Sequence, residues 1–136
     1  MTTELTETSW RGLRIGHPSD WEVAIASGLN EPCRCTFADR HYHRLDIRWR
    51  PLRMRPNLDG FLDKYRRQNE KKSKTDVREM RDAPRGWQGI IRRPERGLIV
   101  HANRFFETPK LLVDAVIVWP DGRDKALERR VLSAIT

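Results

Sequence analysis

The stretch Trp10-Arg11-Gly12-Leu13-Arg14-Ile15-Gly16-His17-Pro18-Ser19-Asp20-Trp21 reads as a short strand, a turn pinned by proline, and a second strand opened by an aromatic. Alternation places Leu13 and Ile15 on one face. Pro18, Ser19 and Asp20 then reverse the chain, and Trp21, Val23 and Ile25 resume the alternation. Residues 1–9 are polar and aperiodic, which makes them a flexible N-terminus ahead of a single domain over residues 10–136.

Beyond the turn residues Ser27 to Pro32, Cys33, Cys35 and Phe37 share one face of a strand, and His41, His43, Leu45, Ile47 and Trp49 share one face of the next. A three-residue loop, Ala38-Asp39-Arg40, would pair Phe37 with His41 and Cys35 with His43. The opposite face then carries Arg34, Arg44, Asp46, Arg48 and Arg50. Pro51 and Pro56 bracket a basic link. Asn57 is a helix N-cap, and Leu58, Phe61, Leu62 and Tyr65 fall at helical spacing toward an end near Lys71 to Lys74. A strand at residues 77–81 and a hairpin of residues 87–92 with 97–106 follow. Leu111 to Trp119 is apolar enough to be a central strand covered on both faces. A closing helix with Asp121 or Asp124 at its start sets Leu127, Val131, Ala134 and Ile135 on its inner side.

This order resembles the PsbP-like superfamily, which includes the DcrB-like proteins and the Ran-binding nuclear import factor. The resemblance is carried by Gly12-Leu13-Arg14-Ile15-Gly16-His17-Pro18-Ser19-Asp20-Trp21, by Leu45-Asp46-Ile47-Arg48-Trp49, and by Ala126-Leu127 through Val131-Leu132-Ser133-Ala134-Ile135. His17 stands where the family more often has an aromatic before the proline. The resemblance implies an α+β fold, an antiparallel β-sheet flanked by helices, and a binding or assembly role without a shared active site. No functional motif carries over residue by residue.

At 136 residues the chain is of modal domain size, and its five Trp, four Phe and two Tyr argue against disorder despite a charged fraction of 34%. It has no apolar run of about 18 residues and no basic, apolar leader, so a soluble, cytoplasmic protein without a membrane span is expected. The net charge of +8 is concentrated. Residues 1–39 sum to −3 (three basic, six acidic), residues 40–81 to +8 (fourteen, six) and residues 82–136 to +3 (ten, seven).

Three constellations carry candidate chemistry. Cys33, Cys35, His41 and His43 offer a zinc ligand set, but ligands two apart on a strand diverge and no C-x-x-C knuckle is present. Core thiols and strand-end histidines are the preferred reading, with no metal and no cofactor. Arg34, Arg44, Arg48, Arg50, Arg53, Arg55, Arg66, Arg67, Lys71 and Lys72, with Lys74, form a basic stripe open to three readings: a solvated face, a site for an acidic protein, or a nucleic-acid site. His101 and Asp114 form a conceivable catalytic pair, but no nucleophile motif accompanies them. The sequence therefore favours a non-enzymatic adaptor for an acidic macromolecule, with a nucleic-acid-binding module second and a small hydrolase third.

Overall fold

A computed structural model describes residues 4–27, 32–73 and 77–136, with the side chains at 61, 62, 65 and 69–73 outside that description. The elements are β1 (Leu5–Trp10), β2 (Leu13–Pro18), β3 (Glu22–Ser27), β4 (Cys33–Ala38), β5 (His43–Pro51), α1 (Leu58–Ser73), β6 (Val77–Glu79), β7 (Gln88–Arg92), β8 (Leu98–Phe106), β9 (Leu111–Trp119) and α2 (Lys125–Ser133). The architecture is mostly antiparallel sheet. Seven strands in the order β3-β4-β5-β9-β8-β7-β6 form the main sheet, and β1-β2 form a second, smaller one.

The N-terminal expectation is corrected. Leu5 to Trp10 is not a free end but a strand paired with β2 from Leu5 opposite Pro18 to Trp10 opposite Leu13. Arg11 and Gly12, at φ of 46° and 84°, make the tight two-residue turn between them, the backbone hand that suits a twisted hairpin. Thr8 Oγ1 lies 2.7 Å from His17 Nε2, and the Trp10 indole donates to Ser27 O at 3.0 Å. The C-terminal residues border the other side of β2, through Arg14 N to Thr136 O (2.8 Å) and Gly16 N to Ala134 O (3.0 Å).

One face of the main sheet meets this small sheet and α2. Leu13, Ile15, Val131, Leu132 and Ile135 pack there with Cys35, Phe37, Leu45, Ile47, Trp49, Val113, Ala115, Ile117 and Trp119. The side chain of His17 is buried and stacks on Phe37 with centroids 4.3 Å apart, so it takes the place of an aromatic by acting as one. Asp124 caps α2 by accepting from Leu127 N at 3.0 Å. Leu127 itself is only half-buried, short of the full burial expected of it.

The opposite face is only partly covered, by α1. Leu58, at the start of α1, packs with Leu112, Phe105 and Leu52, and Asn57 Oδ1 caps the helix by accepting from Gly60 N at 3.1 Å. The central position of β9 is as expected, but its covering on both faces is corrected. Val113, Ala115, Ile117 and Trp119 are buried, while on the other side Leu112 is buried and Val116 and Val118 are half-exposed. A single helix set toward β6 and β7 cannot roof the β5-β9 half. β3 differs too: Trp21 is buried, but Val23 and Ile25 are 46% and 40% exposed. β3 is an edge strand, and a bulge between these residues turns Val23 opposite Phe37 and Ile25 opposite Thr36, on the two different faces.

Candidate functional site

The register of β4 with β5 decides where the predicted residues go. Phe37 faces Leu45 and Cys35 faces Ile47, four residues beyond the expected partners. Asp39 is the cause. Its carboxylate accepts from His41 N and Tyr42 N, both at 2.8 Å, while its own N–H donates to Tyr42 O at 2.9 Å, so the turn is longer than three residues. A shift by an even number preserves the faces but separates the four supposed ligands. Cys35 is buried in the core, Cys33 is half-buried opposite Trp49, His41 lies exposed in the turn, and His43 is exposed at the start of β5. Burial, and secondarily the Asp46 charge, pushes the Cys35 thiol up to about 11, opposite to what a metal-ligating thiolate requires. Among the described residues, no three of His, Cys, Asp and Glu gather as a metal site.

On the open face, like charges are set opposite one another, Arg34 facing Arg48, and Asp46 neutralises much of this. The Arg34 fork donates to Asp46 at 3.0 and 3.2 Å, and Thr36 Oγ1 adds a bond of 3.0 Å to the same carboxylate. Asp46 raises the Arg34 pKa by that hydrogen bond and by its charge. Arg48 stands 3.6 Å from Asp46 with its side chain 54% exposed. Across β9, Arg48 faces Asp114 and Arg50 faces Leu112. Asp114 is exposed on this face, within the fields of Arg50 and Arg48. The face thus carries three arginines and two aspartates, and its outward-reaching cations are Arg48 and Arg50, while half-buried Val116 and Val118 lie farther along β9, opposite Asp46 and beside Arg44.

Arg44 is removed from this stripe. Its Nε donates to Val118 O at 3.0 Å, and its Nη1 pairs with Asp39 at 2.6 Å. Its guanidinium lies 5.0 and 5.3 Å from the Trp21 and Trp119 ring centroids. Desolvation opposes the ionisation of Asp39, but the His41 and Tyr42 amides with Arg44 hold it below the usual carboxylate range. Arg44 therefore clamps the end of the sheet, with cation–π and charge-assisted bonds that a docking cation could not spare. Of the remaining stripe, Arg53 is exposed and Arg55 pairs with exposed Glu107 at 2.8 Å, while Arg66 and Arg67 are exposed on α1. The side chains of Lys71, Lys72, Phe61, Leu62 and Tyr65, and Lys74 altogether, lie outside the described residues.

His101 and Asp114 are not set opposite each other: His101 faces Val116, and Asp114 faces Asn103. Burial, with the Arg92 charge added, lowers the His101 pKa to about 4, so the imidazole is neutral near pH 7. The sequence reading missed a buried carboxylate. Glu128 is 2% exposed on α2, with Arg123 Nη2 at 2.6 Å and the Trp119 indole N–H at 2.9 Å. Its helical position beside apolar neighbours, five residues after an arginine, was the available signal. No helix among the described residues is long and apolar enough to cross a membrane.

No family model matches the chain, and no curated protein matches it. Among solved structures it is similar to the cyanobacterial PsbP (CyanoP) of Synechocystis sp. PCC 6803, with a TM-score of 0.60 over 100% of this chain and 94% of that one, at 10% sequence identity. The chain has a PsbP-like fold. At that identity the likeness concerns the fold alone.

Proposed function

We propose that the chain is a non-enzymatic accessory domain that docks an acidic protein within a larger assembly. The observation that carries this reading is the half-roofed sheet face, where Val116, opposite Asp46, remains partly open and Arg48, next along β5 on the same face, reaches outward with Arg50 beyond it. Protein interfaces combine such an apolar centre with a charged, solvent-accessible rim. Arg53 and Met54, the latter 78% exposed, continue the same combination along the link to α1. Nucleic acid is the weaker fit because single-strand binding stacks several bases on exposed rings, and among the described rings of the basic segment Trp49 is 2% exposed and Tyr42 alone is exposed.

Affinity capture with the wild-type chain and with the Arg48→Glu, Arg50→Glu variant tests the reading. A specific acidic protein retained through nuclease treatment and lost with the variant supports it. Release by nuclease, or equal capture by a folded variant, counts against it.

A further inference from the structure

Asp-Gly occurs twice in the chain, as Asp59-Gly60 and as Asp121-Gly122, and the fold treats the two pairs oppositely. An aspartate followed by glycine can close a five-membered ring when the glycine nitrogen reaches the side-chain carboxyl carbon, because glycine has no Cβ to bar the approach and a backbone free to turn. Both groups must be at liberty to meet. Asp59 and Gly60 lie in the first turn of α1, where Gly60 N donates to the capping Asn57 Oδ1 at 3.1 Å. The helical backbone and the cap fix that nitrogen in a bond of its own.

Asp121 and Gly122 lie in the bend between β9 and α2 and are exposed. Gly122 has a φ of 128°, and a Cβ there would meet nothing within 4 Å. Neither the Gly122 amide nor the Asp121 carboxylate makes a hydrogen bond among the described residues. The carboxylate faces Arg96 Nη2 at 3.6 Å, with the Arg96 and Asp121 side chains 74% and 80% exposed. An ion pair so open to water restrains its members weakly.

We propose that Asp121 is a site of spontaneous isomerisation, at which the main chain is rerouted through the aspartate side chain. The Gly122 nitrogen attacks Cγ of the protonated carboxyl, forming an N–Cγ bond, and the carboxyl hydroxyl leaves as water with the amide proton. Water then opens the cyclic imide at the former main-chain carbonyl of Asp121. The chain now runs through Cβ and Cγ, and the original main-chain carboxyl becomes the side group. No oxidant or cofactor enters, mass and charge are unchanged, and the backbone is one methylene longer. That lengthening falls directly before the residues that anchor the closing helix: Arg123, 2.6 Å from Glu128, and Asp124, whose carboxylate accepts from Leu127 N at 3.0 Å.

The test is incubation of the full chain at neutral pH and body temperature for several weeks, followed by peptide mapping. Isoaspartate shows there as a peptide of unchanged mass and altered retention, and as a substrate for isoaspartate-specific enzymatic methylation. In the folded chain Asp121 is expected to convert at least about tenfold faster than Asp59, whereas tryptic peptides carrying the two pairs should convert alike. Asp121→Glu, which would need a six-membered ring, should abolish conversion at that position with the melt retained. Asn57→Ala, which frees Gly60 N, should speed conversion at Asp59 and leave Asp121 unchanged. The isomerised fraction, separated by chromatography, should melt about 4 °C lower. Equal rates at Asp59 and Asp121 in the folded chain overturn the proposal, as does an Asp121 peptide that converts while the folded chain does not. A rate at Asp59 that ignores Asn57→Ala overturns the protective role of the cap, and an unchanged melt overturns the link to the closing helix.

Discussion

The Trp119 indole N–H donates to the Glu128 carboxylate across 2.9 Å, so the last residue of the central strand holds a buried acid on the closing helix. Arg123 completes the arrangement at 2.6 Å with its own side chain 11% exposed, and its pKa is raised by Glu128 although burial opposes this. Removing one member of a buried pair leaves the other charge uncompensated, which costs about 3–5 kcal/mol. Arg123→Met is expected to lose that much in denaturant melts. The double variant Arg123→Met, Glu128→Leu should recover a large part of the loss, since no charge is then left buried.

His101 makes stability depend on acidity. Its folded pKa of about 4 lies below the ordinary 6.5 because burial and Arg92 disfavour the imidazolium. Above pH 6.5 both folded and unfolded states hold it neutral and it costs nothing. As the pH falls from 6.5 toward 4, the unfolded chain takes up a proton the folded one refuses, and stability drops by up to about 3 kcal/mol. Melts of wild type and His101→Gln should therefore converge in slope except in that window, where the wild type alone declines further. Parallel curves would exclude the histidine as the source.

Legibility in the sequence followed how completely one residue's neighbours fix its role. The strand Leu111–Trp119 is legible because an apolar run of that length has few alternatives, though its covering on both faces was not. Which half α1 would cover was not visible, since that depends on the helix axis and not on the strand. The β4-β5 register failed because parity is satisfied equally by any even shift, and only the side-chain bonds of Asp39 choose among them. β1 was missed because its pairing is through backbone with few buried side chains. The cue present was Arg11-Gly12, a pair suited to a tight hairpin turn.

The two thiols should differ in reactivity. Cys35 is fully buried with its thiol pushed up to about 11, whereas Cys33, two residues earlier at the start of the same strand, is half-buried. Since the thiolate is the reactive form, alkylation of the native protein should modify Cys33 alone, and denaturant should release Cys35. Peptide mapping after a timed iodoacetamide pulse separates the two. With His41 and His43 at the far end of the hairpin, chelators should leave the melt unchanged, and a chelator-induced drop would revive the metal reading.

Salt should distinguish the two macromolecular partners. Neutralising several phosphates releases counterions and costs orders of magnitude in affinity between roughly 50 and 200 mM salt. Docking on the face around Val116 and Val118 keeps its apolar contribution, so rim charges chiefly set the association rate. The captured partner is expected to dissociate at a nearly salt-independent rate while associating more slowly at high salt, as surface plasmon resonance would read. A dissociation rate that climbs steeply with salt would favour nucleic acid.

Gly16 explains why the opening stretch and the closing turn of the chain belong together. An added Cβ at Gly16 would stand 2.6 Å from Ala134 Cβ, closer than real Cβ atoms approach, and Gly16 N already donates to Ala134 O at 3.0 Å. β2 can accept the C-terminal residues only if one side of this contact has no side chain and the other a very small one. Gly16→Ala is therefore expected to cost about 1–3 kcal/mol through overpacking. Ala134→Gly alone should cost less, about 1 kcal/mol from added backbone freedom at the helix end. Because the two positions touch, their effects should not add: in the double variant the clash is gone, and the melt should return to near that of Ala134→Gly alone. If the double variant is instead as unstable as the sum of the singles, the close approach of β2 to the C-terminal turn is not what holds this end of the fold.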